Sequence, residues 1–121
     1  MPALYCGASI AICALEKFVH VGQAALPPLV LVSVDIPDNC DILTPGIHDL
    51  PTGWDELPTS ASAQGLGRAW LERGEALAMR VPSVVLPEES NVIVNPLHPN
   101  YAQVKLTVVR PFTFDQRMYK Q

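Results

Sequence analysis

The spacing of apolar residues divides the chain into a short series of elements. Ala3-Leu4-Tyr5-Cys6 is a brief apolar run ended by Gly7, which predicts a short strand. From Ala8 to Val21 the apolar positions surround a helical wheel: Ile10, Ala11, Ile12, Cys13, Ala14, Leu15, Phe18 and Val19. With Ser9 at the front and Gly22 behind, this predicts a helix buried on every side. Leu29 to Ile36 opens continuously apolar and then alternates, as in a strand covered on both faces, and Pro37 ends it. The stretch from Asp38 to Pro58 is irregular, rich in Pro, Gly, Asp and Thr, and predicts a long loop that is either functional or packed down by Trp54 and Leu57. His48 and Asp49 within it read as solvated loop residues. A second helix is expected from Thr59 to Arg73, with Thr59, Ser60 and Ser62 as cap candidates and Gly74 as its stop. Ala76 to Val81 returns as a strand. Val104 to Val109 alternates with period 2, and Pro111 to Asp115 continues it as an edge. The order of elements is strand, helix, strand, loop, helix, then several strands. That order predicts an α+β fold in a single domain over residues 1–121.

Between the last two predicted strand regions lies Arg80 to Tyr101, R-V-P-S-V-V-L-P-E-E-S-N-V-I-V-N-P-L-H-P-N-Y, with four prolines among two β-branched runs. Proline fixes φ and donates no backbone hydrogen bond, so strands here must be short and stop abruptly. Ser83, Asn91, Asn95 and His98 fall at the ends of those runs, where binding and catalytic groups tend to sit. A Pro-rich connection between edge strands accounts for the same pattern.

Glu16 is the anomaly of the first helix. Its face also carries Ser9, Ile12, Cys13, Val19 and His20, while Lys17 lies about a quarter turn away. A carboxylate on such a helix must pair internally or face a cleft, because burying it unpaired costs several kcal/mol. An ion pair with His20 at i, i+4 on an exposed helix end is the alternative.

Composition narrows the function classes. The chain of 121 residues is 49% hydrophobic, which supports a real core. Only 17% of residues are charged, which suggests that a partner or second subunit covers some surface. A net charge of −4 disfavours direct binding to nucleic acid phosphates. The three cysteines, Cys6, Cys13 and Cys40, match no zinc spacing and read as reduced thiols. The apolar stretch from Met1 to Leu15 lacks a basic flank and is too short to span a bilayer, so no membrane association and a cytoplasmic location are expected. There is no dinucleotide-binding glycine fingerprint, P-loop or nucleophile elbow.

Four segments together resemble a known family. Leu4 to Val21 is similar to the strand–helix segment of RES domains, Ser62 to Gly74 to their second helix, Arg80 to Tyr101 to their most recognisable run, and Val108 to Arg117 to their usual ending. The resemblance implies a fold similar to ADP-ribosyltransferases. It also implies a toxin that degrades NAD⁺, by phosphorolysis or hydrolysis, and that is neutralised by an Xre-type helix-turn-helix antitoxin. NAD⁺ would be the substrate and inorganic phosphate a co-substrate, with no resident cofactor and no metal. The assembly expected is a homodimer or a toxin–antitoxin complex.

By the same resemblance Glu16 and Ser83 match the family's glutamate and serine, and Tyr5 matches an aromatic at the end of the preceding strand. Tyr5, Ser83 and Asn95 become the nucleotide-binding candidates, although Asn95, like His98, is expected chiefly to brace its turn. Glu16 suits stabilisation of an oxocarbenium-like ribose carbon. The Ser83 hydroxyl suits positioning of ribose or phosphate, and Tyr5 suits stacking on nicotinamide or bonding a phosphate. The family's arginine has no counterpart, since no arginine precedes Glu16. The expectation is therefore a RES domain lacking its N-terminal Arg-bearing segment. Its function is either NAD⁺ cleavage or that of a non-catalytic remnant or binding module, with protein ADP-ribosylation as a further alternative.

Overall fold

In the computed structural model, residues 3–21, 28–44 and 76–119 are described, without the side chains of His20, Val21 and Tyr119. The helix expected from Thr59 to Arg73, and the loop residues His48, Asp49, Trp54 and Leu57, lie outside them.

Strand β1, Leu4–Gly7, leads into helix α1, Ile10–Val21, and then strand β2, Leu29–Asp35. Strand β3 is the short pair Ile42–Leu43, followed by β4, Ala78–Pro82, β5, Ser90–Val94, and β6, Lys105–Phe112. Four strands form one sheet in the order β1-β5-β4-β3, and β2 pairs with β6 in a second. The first sheet is antiparallel except for the parallel pair β3–β4. One helix and mixed sheets among the described residues give the α+β architecture that the element order implies.

Strand alternation sorts the first sheet into two faces. On one face Ala78, Val94, Leu4, Cys6 and Val92 pack with Leu77, Cys40, Tyr101 and Val104 into the main core. On the other, Met79 is buried among Ala3, Val81 and Ile93. Gly7 and Asn91 are register partners at the end of β1 and share this second face. Helix α1 approaches here. A Cβ on Gly7 would stand 2.8 Å from the Cys13 nitrogen and 2.9 Å from its Cα, which real Cβ atoms do not tolerate. Glycine therefore sets how closely the helix sits on the strand that leads into it.

Several sequence expectations are corrected. Helix α1 is not buried all round: Ile12 is 2% exposed, while Ile10 and Val19 are 58% and 49% exposed and Cys13 is exposed. Apolar composition set the hydrophobicity of the helix; the sheet covers only one side of it. Strand β2 is not covered on both faces, since Val30 and Val32 are exposed; among the described residues it pairs with β6 alone. Its run of aliphatic residues reflects β-propensity rather than two-sided burial. The segment Arg80 to Tyr101 is not a connection between edge strands. It supplies β4 and β5, the two interior strands of the four-stranded sheet. Three of its four prolines sit where they remove no needed donor: Pro82 ends β4, Pro87 lies in the β4–β5 loop, and Pro99 opens a 3-10 turn, Pro99–Gln103. Strand β3 falls in the stretch read as irregular, because two residues carry no periodicity.

The predicted final strand and its edge continuation are one strand, β6, with an irregularity opposite Leu31/Val32. Pro111 is accommodated because, among the described residues, β6 pairs on one side only. Phe114, just beyond, meets Phe18 of α1 edge-on at 5.7 Å and Phe112 at 5.1 Å. This aromatic cluster ties the helix to the second sheet.

Candidate functional site

The site grows out of the β4–β5 hairpin. Pro82 ends β4, and the loop that follows closes on itself. The Ser83 backbone N–H donates to the Glu89 carbonyl at 2.8 Å, and the Glu89 N–H donates to the Leu86 carbonyl at 2.8 Å. Within that loop the Ser83 hydroxyl accepts from the backbone N–H groups of Val85, at 3.1 Å, and Leu86, at 3.2 Å. A serine capping the next turn in this way is a common local motif. The two acceptor positions of the oxygen are thereby used, and its proton is left to donate elsewhere.

That proton goes to Glu16. The Ser83 hydroxyl donates to Glu16 Oε1 at 2.5 Å, across 67 residues of chain. The Asn91 side-chain amide donates to the same oxygen at 3.0 Å. Glu16 reaches both because of helix phase. Ile12, one turn earlier on the same face, is turned fully inward, so the residue four positions on lies over the end of the hairpin. The structure shows Glu16 paired with the hairpin; the His20 side chain of the other reading lies outside the described residues.

The front of α1 is fixed to the same loop. Ser9 Oγ accepts from the Ile12 N–H at 3.2 Å, the N-cap arrangement. The same hydroxyl stands 3.5 Å from Glu89 Oε1, and the Ala8 N–H donates to the Ser90 carbonyl at 2.9 Å. Helix start, loop base and carboxylate are thus held as one unit.

Glu16 and Ser83 are therefore brought together. Ser83 is fully buried, so in this arrangement its hydroxyl acts on Glu16 and the loop rather than on solvent. Tyr5 projects from the face that carries Gly7 and Asn91, two residues from Gly7, with its side chain 73% exposed. Asn95 is elsewhere. It follows β5 at the end away from Asn91, about 13 Å along the strand at ~3.3 Å per residue. It is 1% exposed, its N–H donates to the Leu77 carbonyl at 2.8 Å and its Oδ1 accepts from the Leu97 N–H at 3.0 Å. His98 caps the 3-10 turn by accepting from the Asn100 N–H at Nδ1, 3.0 Å.

Asn91 is the residue that pattern reading underrated. It was visible as a polar residue at a strand start, but nothing in the sequence singles it out from Asn95. Its value comes from pairing with Gly7, whose missing side chain lets the helix descend.

Burial, and then the neighbouring Cys13, push the Cys6 thiol above its ordinary range. Cys6, Cys13 and Cys40 are all free thiols. Among the described residues no three His, Cys, Asp or Glu side chains gather as a metal site would require. An apolar cavity of about 250 Å³ lies between α1 and β2, lined by Ile10, Cys13, Ala14, Lys17, Leu29 to Leu31 and Phe112. It excludes Glu16, Ser83 and Asn91. No helix among the described residues is long and apolar enough to cross a membrane.

Comparison with known proteins places this chain in a family. The RES domain model matches residues 1–115. The chain is 34% identical to the Prs ADP-ribosylating toxin of Sphingobium sp. (strain YBL2), over 98% of this chain and 75% of that protein. It is 37% identical to the Toxin Res of Photorhabdus laumondii subsp. laumondii, over 98% of this chain and 77% of the relative. It is 35% identical to the Toxin Res of Yersinia enterocolitica, over 96% and 77% respectively. The strand–helix unit that carries Glu16 and the hairpin that carries Ser83 both fall within the matched residues, and the chain belongs to the RES domain family.

Proposed function

We propose that this chain is a toxin that cleaves the nicotinamide–ribose bond of NAD⁺, with Glu16 as the catalytic carboxylate. The observation that carries the reading is the fixed carboxylate itself: two donors from one rigid hairpin converge on a single oxygen of Glu16. A carboxylate held this way is preorganised to face developing positive charge, and pays no reorganisation when it forms. The names of the relatives, toxins in each case, support a toxin role, and the one named as ADP-ribosylating supports chemistry at this bond.

In that reaction the bond between ribose C1′ and the nicotinamide nitrogen breaks, and its electron pair neutralises the pyridinium. The ribose carbon passes through an oxocarbenium-like state beside Glu16. An oxygen of water or inorganic phosphate then bonds to C1′ and loses its proton. Ser83, with its acceptor positions occupied by Val85 and Leu86, is a donor to Glu16 and not a nucleophile. Tyr5, exposed on the same face, is the surface available for stacking on the nicotinamide or adenine ring. Asn95 keeps the turn after β5 closed. NAD⁺ as substrate places the activity in the cytoplasm, and a cognate antitoxin of the Xre type is the partner that would hold it in check.

A second reading follows from the relative named as ADP-ribosylating: the same bond cleavage with a protein side chain as the acceptor. One experiment separates the readings. The 121-residue chain is incubated with NAD⁺, with and without phosphate, and nicotinamide release, free ADP-ribose products and labelled protein are measured. Nicotinamide release with small-molecule products, absent in Glu16→Gln, is the expected result. Labelled protein in place of those products favours the second reading. No turnover by the wild-type chain overturns both in favour of a non-catalytic role.

A further inference from the structure

We infer that Asn91 is a positioning residue for Glu16, and that its ladder partner Gly7 sets the helix height at which the two side chains meet. The inference rests on the reading of Glu16 as the catalytic carboxylate. Asn91 stands at the start of β5, an interior strand, with Gly7 opposite on one side and Val81 on the other. Its backbone is therefore fixed from both sides. Its amide is a donor of defined direction, 3.0 Å from Glu16 Oε1.

Two independent donors on one oxygen do what one cannot. The Ser83 hydroxyl sets the distance of the carboxylate oxygen from the loop. The Asn91 amide, arriving from the neighbouring strand, fixes the plane of the carboxylate as well as its distance. Rigid first contacts held by a supporting shell are what keep a reacting group within the narrow geometric tolerance catalysis needs. Gly7 completes the arrangement. Its Cα has no side chain where the Cys13 backbone passes, and Cys13 is three residues before Glu16 on the same helix. A larger residue would lift the helix and lengthen the Asn91–Glu16 contact without touching either side chain.

Positioning differs from structural support in what it changes. Loss of an interaction made to the transition state, by way of Glu16, lowers kcat and leaves KM nearly unaltered. The test uses Asn91→Leu, close in shape but without a donor, beside Glu16→Gln. With NAD⁺ as substrate, kcat of Asn91→Leu is expected to fall about 10- to 100-fold, with KM within about threefold of wild type. A second readout does not need activity. In the ¹⁵N-labelled chain the Asn91 side-chain amide signals, assigned by their loss in Asn91→Leu, are expected to move in Glu16→Ala and Glu16→Gln. The Asn95 signals stay in place and report that the fold is intact.

The outcomes are distinguishable. Glu16→Gln with wild-type turnover defeats the catalytic reading, whatever Asn91 does. Turnover abolished in Glu16→Gln but unchanged in Asn91→Leu overturns the inference alone. So does an Asn91 amide signal that is indifferent to both Glu16 variants. If the wild-type chain shows no turnover, the catalytic reading fails and the amide signals still decide whether Asn91 holds Glu16.

Discussion

Removing the Ser83 hydroxyl distinguishes a brace from a substrate contact. In Ser83→Ala three hydrogen bonds disappear: the one donated to Glu16 and the two accepted from Val85 and Leu86. A bond to a charged group contributes about 1.5–3 kcal/mol and a neutral one about 0.5–1.5 kcal/mol. The Val85 and Leu86 end of the loop is partly exposed, so water replaces part of what the two N–H groups lose. The Glu16 bond has no such relief, because its donor sits at a fully buried position. The net loss is therefore about 2–4 kcal/mol, a large share of the ~5–15 kcal/mol stability of a typical domain. At about 2.1 cal/mol/K per residue, a chain of 121 residues shifts its midpoint about 4 °C for each kcal/mol, which gives a fall in Tm of about 8–16 °C. Calorimetry, with urea denaturation to confirm an unchanged slope, measures it. A Ser83→Ala protein within about 1 kcal/mol of wild type, with KM for NAD⁺ raised, would refute the reasoning. It would mean that the hydroxyl is spent on substrate and that the loop stands without it. The double variant Ser83→Ala/Glu16→Gln sharpens the test, since losses through a shared bond are not additive.

Three further outcomes are expected. Gly7→Ala forces a Cβ to within 2.8–2.9 Å of Cys13 backbone atoms, which the helix relieves only by lifting; stability should fall by about 1–3 kcal/mol, read from urea denaturation. Thiol labelling in the native state should modify the exposed Cys13 first and the buried Cys40 last, as mass spectrometry would resolve. Cys6 should need a more alkaline pH than an ordinary thiol, because burial and the Cys13 charge raise its pKa. Its folded value is the higher one, so its contribution to stability is complete below the unfolded thiol pKa and declines as pH rises past it. The Asp115 carboxyl, bridged to the Arg117 guanidinium at 2.8 and 2.9 Å, is held below its usual range. Its contribution is therefore present above the unfolded carboxyl pKa and lost as pH falls through the lowered one. NMR titration should show that shift, while Asp115→Asn leaves Tm almost unchanged, because both side chains are well exposed.

Local chemistry was legible in the residues themselves. Gly7, Ser9, Pro37 and Pro82 stop or start elements through φ restriction and capping, which act within a few residues and so leave a local trace. The alternation of Val104 to Val109 and the aliphatic run at Leu29 announced strands for the same reason. Glu16 stood out because a carboxylate on an apolar helix is costly unless it is paired. The resemblance to RES domains selected Ser83 as its companion.

Only the tertiary structure decided what those elements face. Whether a helix apolar all round is enclosed depends on what packs against it, and α1 turns inward chiefly through Ile12. Whether a Pro-rich segment lies at an edge depends on strands far away in sequence, and here β1 pairs with β5 across more than eighty residues. The same distance hid Asn91. Two asparagines at the two ends of one strand are equivalent in sequence, yet one bonds Glu16 and the other closes a turn about 13 Å away. The difference arises because hydrogen-bond partners are chosen by position in three dimensions. That position follows from helix height over the sheet, which Gly7 sets through an atom it does not have.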